Sequence, residues 1–222
     1  MQIVPVPVRQ DNYAYLLIDE ASKTAAAVDP YDVNKVVAAA DNLGVQLVAG
    51  ITTHHHFDHS GGNKEFVSKF PGVPIYGGSD KIPALTNLVK DKDEFTLGDI
   101  HIKLYLLLCH RYCVGSEMDA ALSYLGTLPD STIVYNGHEY TNGSLAFAKS
   151  IEPENKAFAK LDELVKSNEI VTGLTTIREE KEWNIFMRLG NATVRQAAGV
   201  SAEASASVVM DALREKKNNF RG

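Results

Sequence analysis

With 222 residues, the chain is long enough to bury a core of its own, as one mid-sized domain or one domain with a small appendage. Its net charge of −6 and its lack of basic blocks argue against nucleic-acid or membrane-surface binding, and its longest apolar run, "LYLLLC", suits a buried strand rather than a membrane span. Two cysteines, Cys109 and Cys113, exclude a disulfide scaffold and suit a reducing compartment, and the start "MQIVPVPV" lacks the basic-then-apolar pattern of a secretion signal.

In chain order, "IVPVPV" and "YAYLLID" read as short strands with the turn residues "RQDN" between them. "AAAVDP" is a third strand ending at Pro30. From Asp32 to Leu43, Val33, Val36, Val37, Ala40 and Leu43 recur at helical spacing, with Gly44 as the stop. "VQLVAGITT" is a buried strand, and "GGNKEFVSKF" continues from Gly-Gly as a helix. "VPIYGG" is another strand, and "EFTLGDIHIKLYLLL" predicts a hairpin turning at Leu97 to Asp99. "SEMDAALSYLGTL" is helical, and "STIVYNG" is a strand leading to His138. After Tyr140 the character changes. Phe158, Leu161 and Val165 make one helical stripe, Val208, Val209, Ala212 and Leu213 another, and no clear strand intervenes. The sequons at Asn142 and Asn191 read as chance matches in a chain without an export signal.

Between the fourth strand and the Gly-Gly helix lies "ITTHHHFDHSGG", with His54, His56, Asp58 and His59 in the pattern H-x-H-x-D-H. This is a loop at the C-terminal end of a strand, where α/β proteins place their sites. Imidazole nitrogens and a carboxylate oxygen are ligands that zinc or iron prefers. In an extended loop alternate side chains share a side, so His54 and His56 are expected to converge on one ion. Asp58 and His59 then turn toward a second, and His55 points away in a structural role. A polar turn that merely happens to be rich in histidine is the competing explanation, and four ligand types at this spacing disfavour it. Asp29 in "VDP" follows a strand. It either holds a ligand imidazole in its tautomer or is a strand-end turn residue.

The motif resembles that of the metallo-β-lactamase superfamily, which implies an α/β/β/α sandwich. "THHHFDHSGGN", Cys109-His110, "GHEYT" at 137–141 and "LREKKNNF" at 213–220 together resemble one branch, glyoxalase II, the hydroxyacylglutathione hydrolases. The resemblance covers most of the chain. It implies that His54, His56 and His110 hold one metal and that Asp58, His59 and His138 hold the other. Zinc is the expected ion, with iron or manganese as alternatives, and Asp58 is the ligand that positions a nucleophilic water. The resemblance also implies that Tyr140, Arg214 and Lys217 contact glutathione, with Arg111 a weaker candidate. Arg214 and Lys217, at i and i+3, share one helix face, although spacing alone favours a solvated helix end. The implied reaction is hydrolysis of S-D-lactoylglutathione to D-lactate and glutathione by a metal-activated water. Cys109 and His110 do not make a nucleophilic pair, because adjacent residues on a strand face opposite ways. The expected division is a metal-binding domain at 1–140 and a helical glutathione-binding domain at 141–222. The expected setting is a monomer in the cytosol, with mitochondria the alternative, a glutathione thioester as substrate, and neither nucleic acid nor membrane as partner.

One block of the glyoxalase II pattern is missing. After its Cys-His, that family continues through two strands to an aspartate that bridges the two metals. Here "LLLCH" runs straight into "RYCVGSEMDAAL", which resembles a later segment of the family. Asp119 falls inside a helical pattern and Asp130 in a Pro-Asp turn, so neither replaces the bridge. Two dications ~3.5 Å apart repel with a raw Coulomb term of about 19 kcal/mol at an effective dielectric of 20. Loss of a bridging carboxylate should therefore weaken the second ion or drop it, leaving one ion here where the family pattern has two. The second sheet should also lack two strands, leaving an open edge or an apolar face. Two readings of different classes follow: a working metal-dependent thioester hydrolase, or a shortened form that binds metal or a glutathione conjugate without turnover. Lactamase, sulfur dioxygenase and nuclease chemistry are disfavoured by "GHEYT", the basic C-terminal helix and the acidic balance.

Overall fold

A computed structural model describes residues 1–105 and 114–222. The expected ligand His110, with Arg111, Cys109 and Cys113, lies outside the described residues. The chain divides into two compact units, Met1–Leu106 and Leu107–Gly222, each with its own core. Among the described residues no helix is long and apolar enough to cross a membrane.

The first unit is built on a six-stranded sheet of β1 (Gln2–Pro7), β2 (Tyr13–Asp19), β3 (Thr24–Val28), β4 (Gln46–Thr52), β5 (Ile75–Gly77) and β6 (Asn87–Leu88), in that order. The first three strands are antiparallel, and β3 to β6 run parallel. Helix α1 (Val33–Leu43) makes the crossover from β3 to β4. Asp32 caps it by accepting from Lys35 N–H, and Gly44 ends it at φ +65°, a conformation that costs glycine little. A single turn, α2 (Phe57–Ser60), and α3 (Asn63–Lys69) follow β4.

Period-two alternation sorts the strand residues onto two faces. Ala25 and Ala27 of β3 join Leu16, Ile18 and Leu47 beneath Val33, Val36 and Ala40 of α1 and Phe66 of α3. Ala26, between them, faces the other way with Ala49 and Ile51, which a register shift after Leu47 turns to the opposite face of β4. There the sheet meets Leu97 and Ile100 of the hairpin β7 (Glu94–Leu97) and β8 (Ile100–Lys103), and Tyr76 stacks on Phe95 at 4.1 Å. Asp19 at the end of β2 anchors the hairpin turn by accepting from Asp99 N–H at 3.2 Å, and Ser22 Oγ of its own turn donates to the same oxygen at 2.6 Å. The first unit therefore stacks helices on a sheet on a second sheet, and among its described residues that second sheet has two strands.

The second unit carries α4 (Gly115–Leu125), β9 (Ile133–Val134), α5 (Thr141–Ile151), α6 (Phe158–Ser167), β10 (Thr175–Thr176), α7 (Ile177–Trp183), α8 (Ala192–Ala198) and α9 (Ala206–Asn219). Its core gathers Leu145, Ile151, Phe158, Leu161, Trp183, Val194, Val209, Met210 and Leu213. The buried carboxylate of Glu152 accepts two bonds from Arg188, at 2.8 and 2.9 Å, a fork that fits a planar guanidinium. Two sequence expectations are corrected here. The strand before His138 is only two residues long, and a strand does intervene in the helical part, since β10 pairs antiparallel with β9. Asn191 is the N-cap of α8, its side chain accepting from Thr193 and Val194 N–H.

Candidate metal centre

The H-x-H-x-D-H loop leaves the end of β4 and is extended only as far as His56. From Phe57 it coils into α2, and that turn carries Asp58 and His59. Ser60 Oγ donates to the carbonyls of both His55 and His56 at 3.0 Å, closing the loop on itself. Gly62 lets the loop press against the turn after β3, because a β-carbon there would stand 2.0 Å from the Pro30 carbonyl oxygen. Asn63, fully buried, anchors the far side by donating to Thr52 Oγ1 at 2.9 Å and to the Pro83 carbonyl at 3.1 Å.

His54 Nε2 and His56 Nδ1 face each other at 3.0 Å. Two nitrogens bound to one tetrahedral zinc at ~2.05 Å stand about 3.3 Å apart, so the pair lies within a few tenths of an ångström of that geometry. Asp58 Oδ2 and His59 Nε2 make a second pair at 3.5 Å. The ring centres of His54 and His59 are 4.2 Å apart, so the two pairs are neighbours. Imidazole nitrogens with one carboxylate oxygen suit zinc, iron or manganese, and the loop fits such an ion.

Asp29 lies beneath the loop, buried at φ +49°. Its carboxylate accepts from Thr53 N–H at 2.8 Å and from Thr53 Oγ1 at 2.6 Å, and it meets His59 Nδ1 at 2.9 Å. With Nδ1 engaged, His59 presents Nε2 to Asp58. Burial opposes a charge on His59, but the hydrogen bond and charge of Asp29, with Asp58 beside it, raise its pKa above the ordinary value. Burial, reinforced by the neighbouring His59, pushes His54 down to about 4, so its imidazole is neutral at physiological pH, the form that binds metal.

In the second unit, the rings of His138 and Tyr140 stack at 4.8 Å. Both line a cavity of about 420 Å³ that also reaches Asn136, Glu180, Trp183 and Phe186. Tyr140 is the N-cap residue of α5 and is exposed. Lys217, on α9, donates to the Gly143 carbonyl at 2.9 Å, in the first turn of that same helix, and lies 5.5 Å over the Phe147 ring. Burial lowers its pKa. Arg214 shares the Lys217 face of α9, each one helical turn beyond a buried residue, Met210 and Leu213 respectively.

Three residues to which the sequence assigns no role support these groups. Thr53 ties Asp29 to the loop and meets His54 Nδ1 at 3.0 Å. Asn12 contacts Asp58. Glu139 accepts from Val171 and Thr172 N–H and from Thr141 Oγ1, bracing the segment that carries His138 and Tyr140. Only their partners, remote in sequence for Asn12 and Glu139, distinguish them from ordinary turn residues.

The metallo-beta-lactamase superfamily matches residues 38–135, and the family described as hydroxyacylglutathione hydrolase C-terminus matches residues 139–220. A probable hydroxyacylglutathione hydrolase of Schizosaccharomyces pombe is 35% identical over 98% of each chain. The cytoplasmic hydroxyacylglutathione hydrolase of Arabidopsis thaliana is 34% identical over the whole of both. That second alignment spans 261 positions against 222 residues here, so 39 positions of it have no counterpart in this chain. Among solved structures, ETHE1 from Myxococcus xanthus shares the fold with a TM-score of 0.65 at 18% identity, covering 97% of this chain and 91% of that one. A metallo-beta-lactamase from Staphylococcus aureus does so at 0.61 and 15%, covering 95% and 70%. With two relatives above 30% identity along essentially their full length, and both families matched in chain order, the chain belongs to the hydroxyacylglutathione hydrolase family, glyoxalase II, of the metallo-β-lactamase superfamily.

Proposed function

We propose that the chain hydrolyses the thioester of S-D-lactoylglutathione, releasing D-lactate and glutathione. The observation that carries this is the paired donor set of one loop, His54 with His56 and Asp58 with His59, braced from below by Asp29. When bound, zinc, iron or manganese supplies Lewis acidity, polarising the thioester carbonyl and acidifying water toward neutral pH. The residues of the chain do the rest. Asp29 fixes the His59 tautomer, and the buried His54 stays neutral and ready to ligate. His110 and His138 complete the ligand set by family pattern. Asp58 orients the attacking water, and a thiol with a pKa of roughly 8.5 leaves without needing a strong acid.

Residues 141–222, as a helical glutathione-binding domain, supply the recognition. Tyr140 caps the N-terminal turn of α5, Lys217 bonds to the Gly143 carbonyl of that same turn, and Arg214 lies one helical turn before Lys217. Their cations suit the glutathione carboxylates, with Arg111 a lesser contributor. Zinc is the favoured ion, a single ion where the family pattern implies two, in a monomer located in the cytoplasm.

The 39 unmatched positions favour a second reading, binding of metal or conjugate without turnover. Their natural place is after His110, where the sequence lacks the bridging aspartate. The deciding experiment is hydrolysis of S-D-lactoylglutathione by the zinc-loaded chain beside Asp58→Asn. Turnover by the wild type, lowered at least a hundredfold by Asp58→Asn, is the expected result. A soluble, metal-loaded wild type without turnover supports the second reading instead.

A further inference from the structure

Asn12 closes the turn between β1 and β2, where its carbonyl accepts from Val8 N–H at 3.0 Å. The residue is 4% exposed, and its position is set by the two strands that flank it. From there Nδ2 donates to Asp58 Oδ2 at 3.0 Å, with the Asp58 main-chain carbonyl at 3.5 Å. Oδ2 is the same oxygen that stands 3.5 Å from His59 Nε2, the ring nitrogen left over once Asp29 has taken Nδ1.

A carboxylate on a one-carbon stem can present either oxygen or swing away. A donor fixed on a rigid hairpin breaks that equivalence. The amide is also the right kind of donor. Lys or Arg in its place would orient the carboxylate equally well but would set a positive charge beside a dication, where like charges repel. An amide orients the ligand and leaves its charge intact.

We propose that Asn12 is a positioning residue that holds Asp58 Oδ2 in place for metal binding beside His59. Resting on the metal-ligand role of Asp58 and on no particular substrate, this assignment is tested by metal affinity. Zinc and cobalt titrations of the wild type, Asn12→Ala, Asp58→Asn and the double variant form a double-mutant cycle. Asn12→Ala is expected to weaken the Asp58-dependent ion by about 10–100-fold and to shift the visible cobalt bands, with the far-UV circular dichroism unchanged. In the Asp58→Asn background the same substitution should add nothing further, whereas a merely structural asparagine would weaken binding equally in both backgrounds. Wild-type affinity and spectrum in Asn12→Ala, or full additivity, overturns the assignment. Where Asn12→Ala fails to fold, Asn12→Leu removes the donor at nearly constant volume and runs the same cycle. Coupling without thioester turnover leaves Asn12 in this role and sinks the proposed activity, whereas a wild type that binds no metal sinks both.

Discussion

Asp29 occupies left-handed backbone space that a non-glycine residue rarely adopts, and three hydrogen bonds hold it there. The conformation aims the carboxylate up at Thr53 and His59 from the turn that ends β3. Asp29→Asn keeps the size but turns one acceptor into a donor and removes the charge behind the imidazole. Metal affinity is expected to fall about 10–100-fold, as for other groups that orient a ligand histidine. Stability of the metal-free chain should fall by about 1–3 kcal/mol from the broken buried contacts. Chelator competition reads the first and denaturant titration the second. Unchanged affinity would reduce Asp29 to a turn residue, the alternative that its place in the sequence leaves open.

At the scale of elements, β9 ends at Val134, four residues short of His138, and His138 itself makes only an isolated bridge, so among the described residues no continuous ladder holds the segment that carries the stacked His138 and Tyr140. A clasp does so instead. Gly173 N–H reaches the Val134 carbonyl at 2.9 Å, Asn136 N–H reaches Thr172 Oγ1 at 2.8 Å, and the Glu139 carboxylate takes the amides of Val171 and Thr172 at 2.8 and 3.3 Å. Glu139→Ala is expected to raise KM for the glutathione thioester several-fold and to cost about 1.5–3 kcal/mol, the worth of bonds to a charged group. Glu139→Gln, which keeps an acceptor for the amides, should recover most of both. Equal KM in all three proteins would confine the clasp to a structural role.

The same contrast explains what could be read from the sequence. Strands β1 to β5 and helix α1 were legible because period-two and helical patterns, with Asp32 and Gly44 as caps, are local signals. The metal loop was legible because its donors lie within six residues. Strand β10 was not, since Thr175–Thr176 has no alternation and becomes a strand only by pairing with β9. The roles of Asn12 and Glu139 are not encoded locally, because their contacts span 46 and 32 residues.

Across the whole molecule, the buried clusters of the two units have no residue in common among the described residues, and the single tryptophan, Trp183, is buried in the second. Its fluorescence reports the second unit alone, whereas the strand signal in far-UV circular dichroism comes chiefly from the first. Denaturant titrations followed by the two probes are therefore expected not to coincide, a departure from two-state unfolding. Zinc at a hundred times its dissociation constant should stabilise the folded state that binds it by about 2.7 kcal/mol, and EDTA should reverse the shift. Coincident transitions would show that the units melt as one.

The brace around the metal loop draws on three chain turns: Asn12 before β2, Asp29 after β3, and Thr53 after β4. Two of these contacts link positions 46 and 30 residues apart, and the parallel pairing of β3 with β4 must close before Asp29 can meet His59. Loop closure over such separations is the slow part of folding. The cation is thus a late arrival, captured by a finished sheet rather than templating one. Refolding rates should be indifferent to zinc, and its whole benefit should appear as slower unfolding, a clasp that locks after assembly.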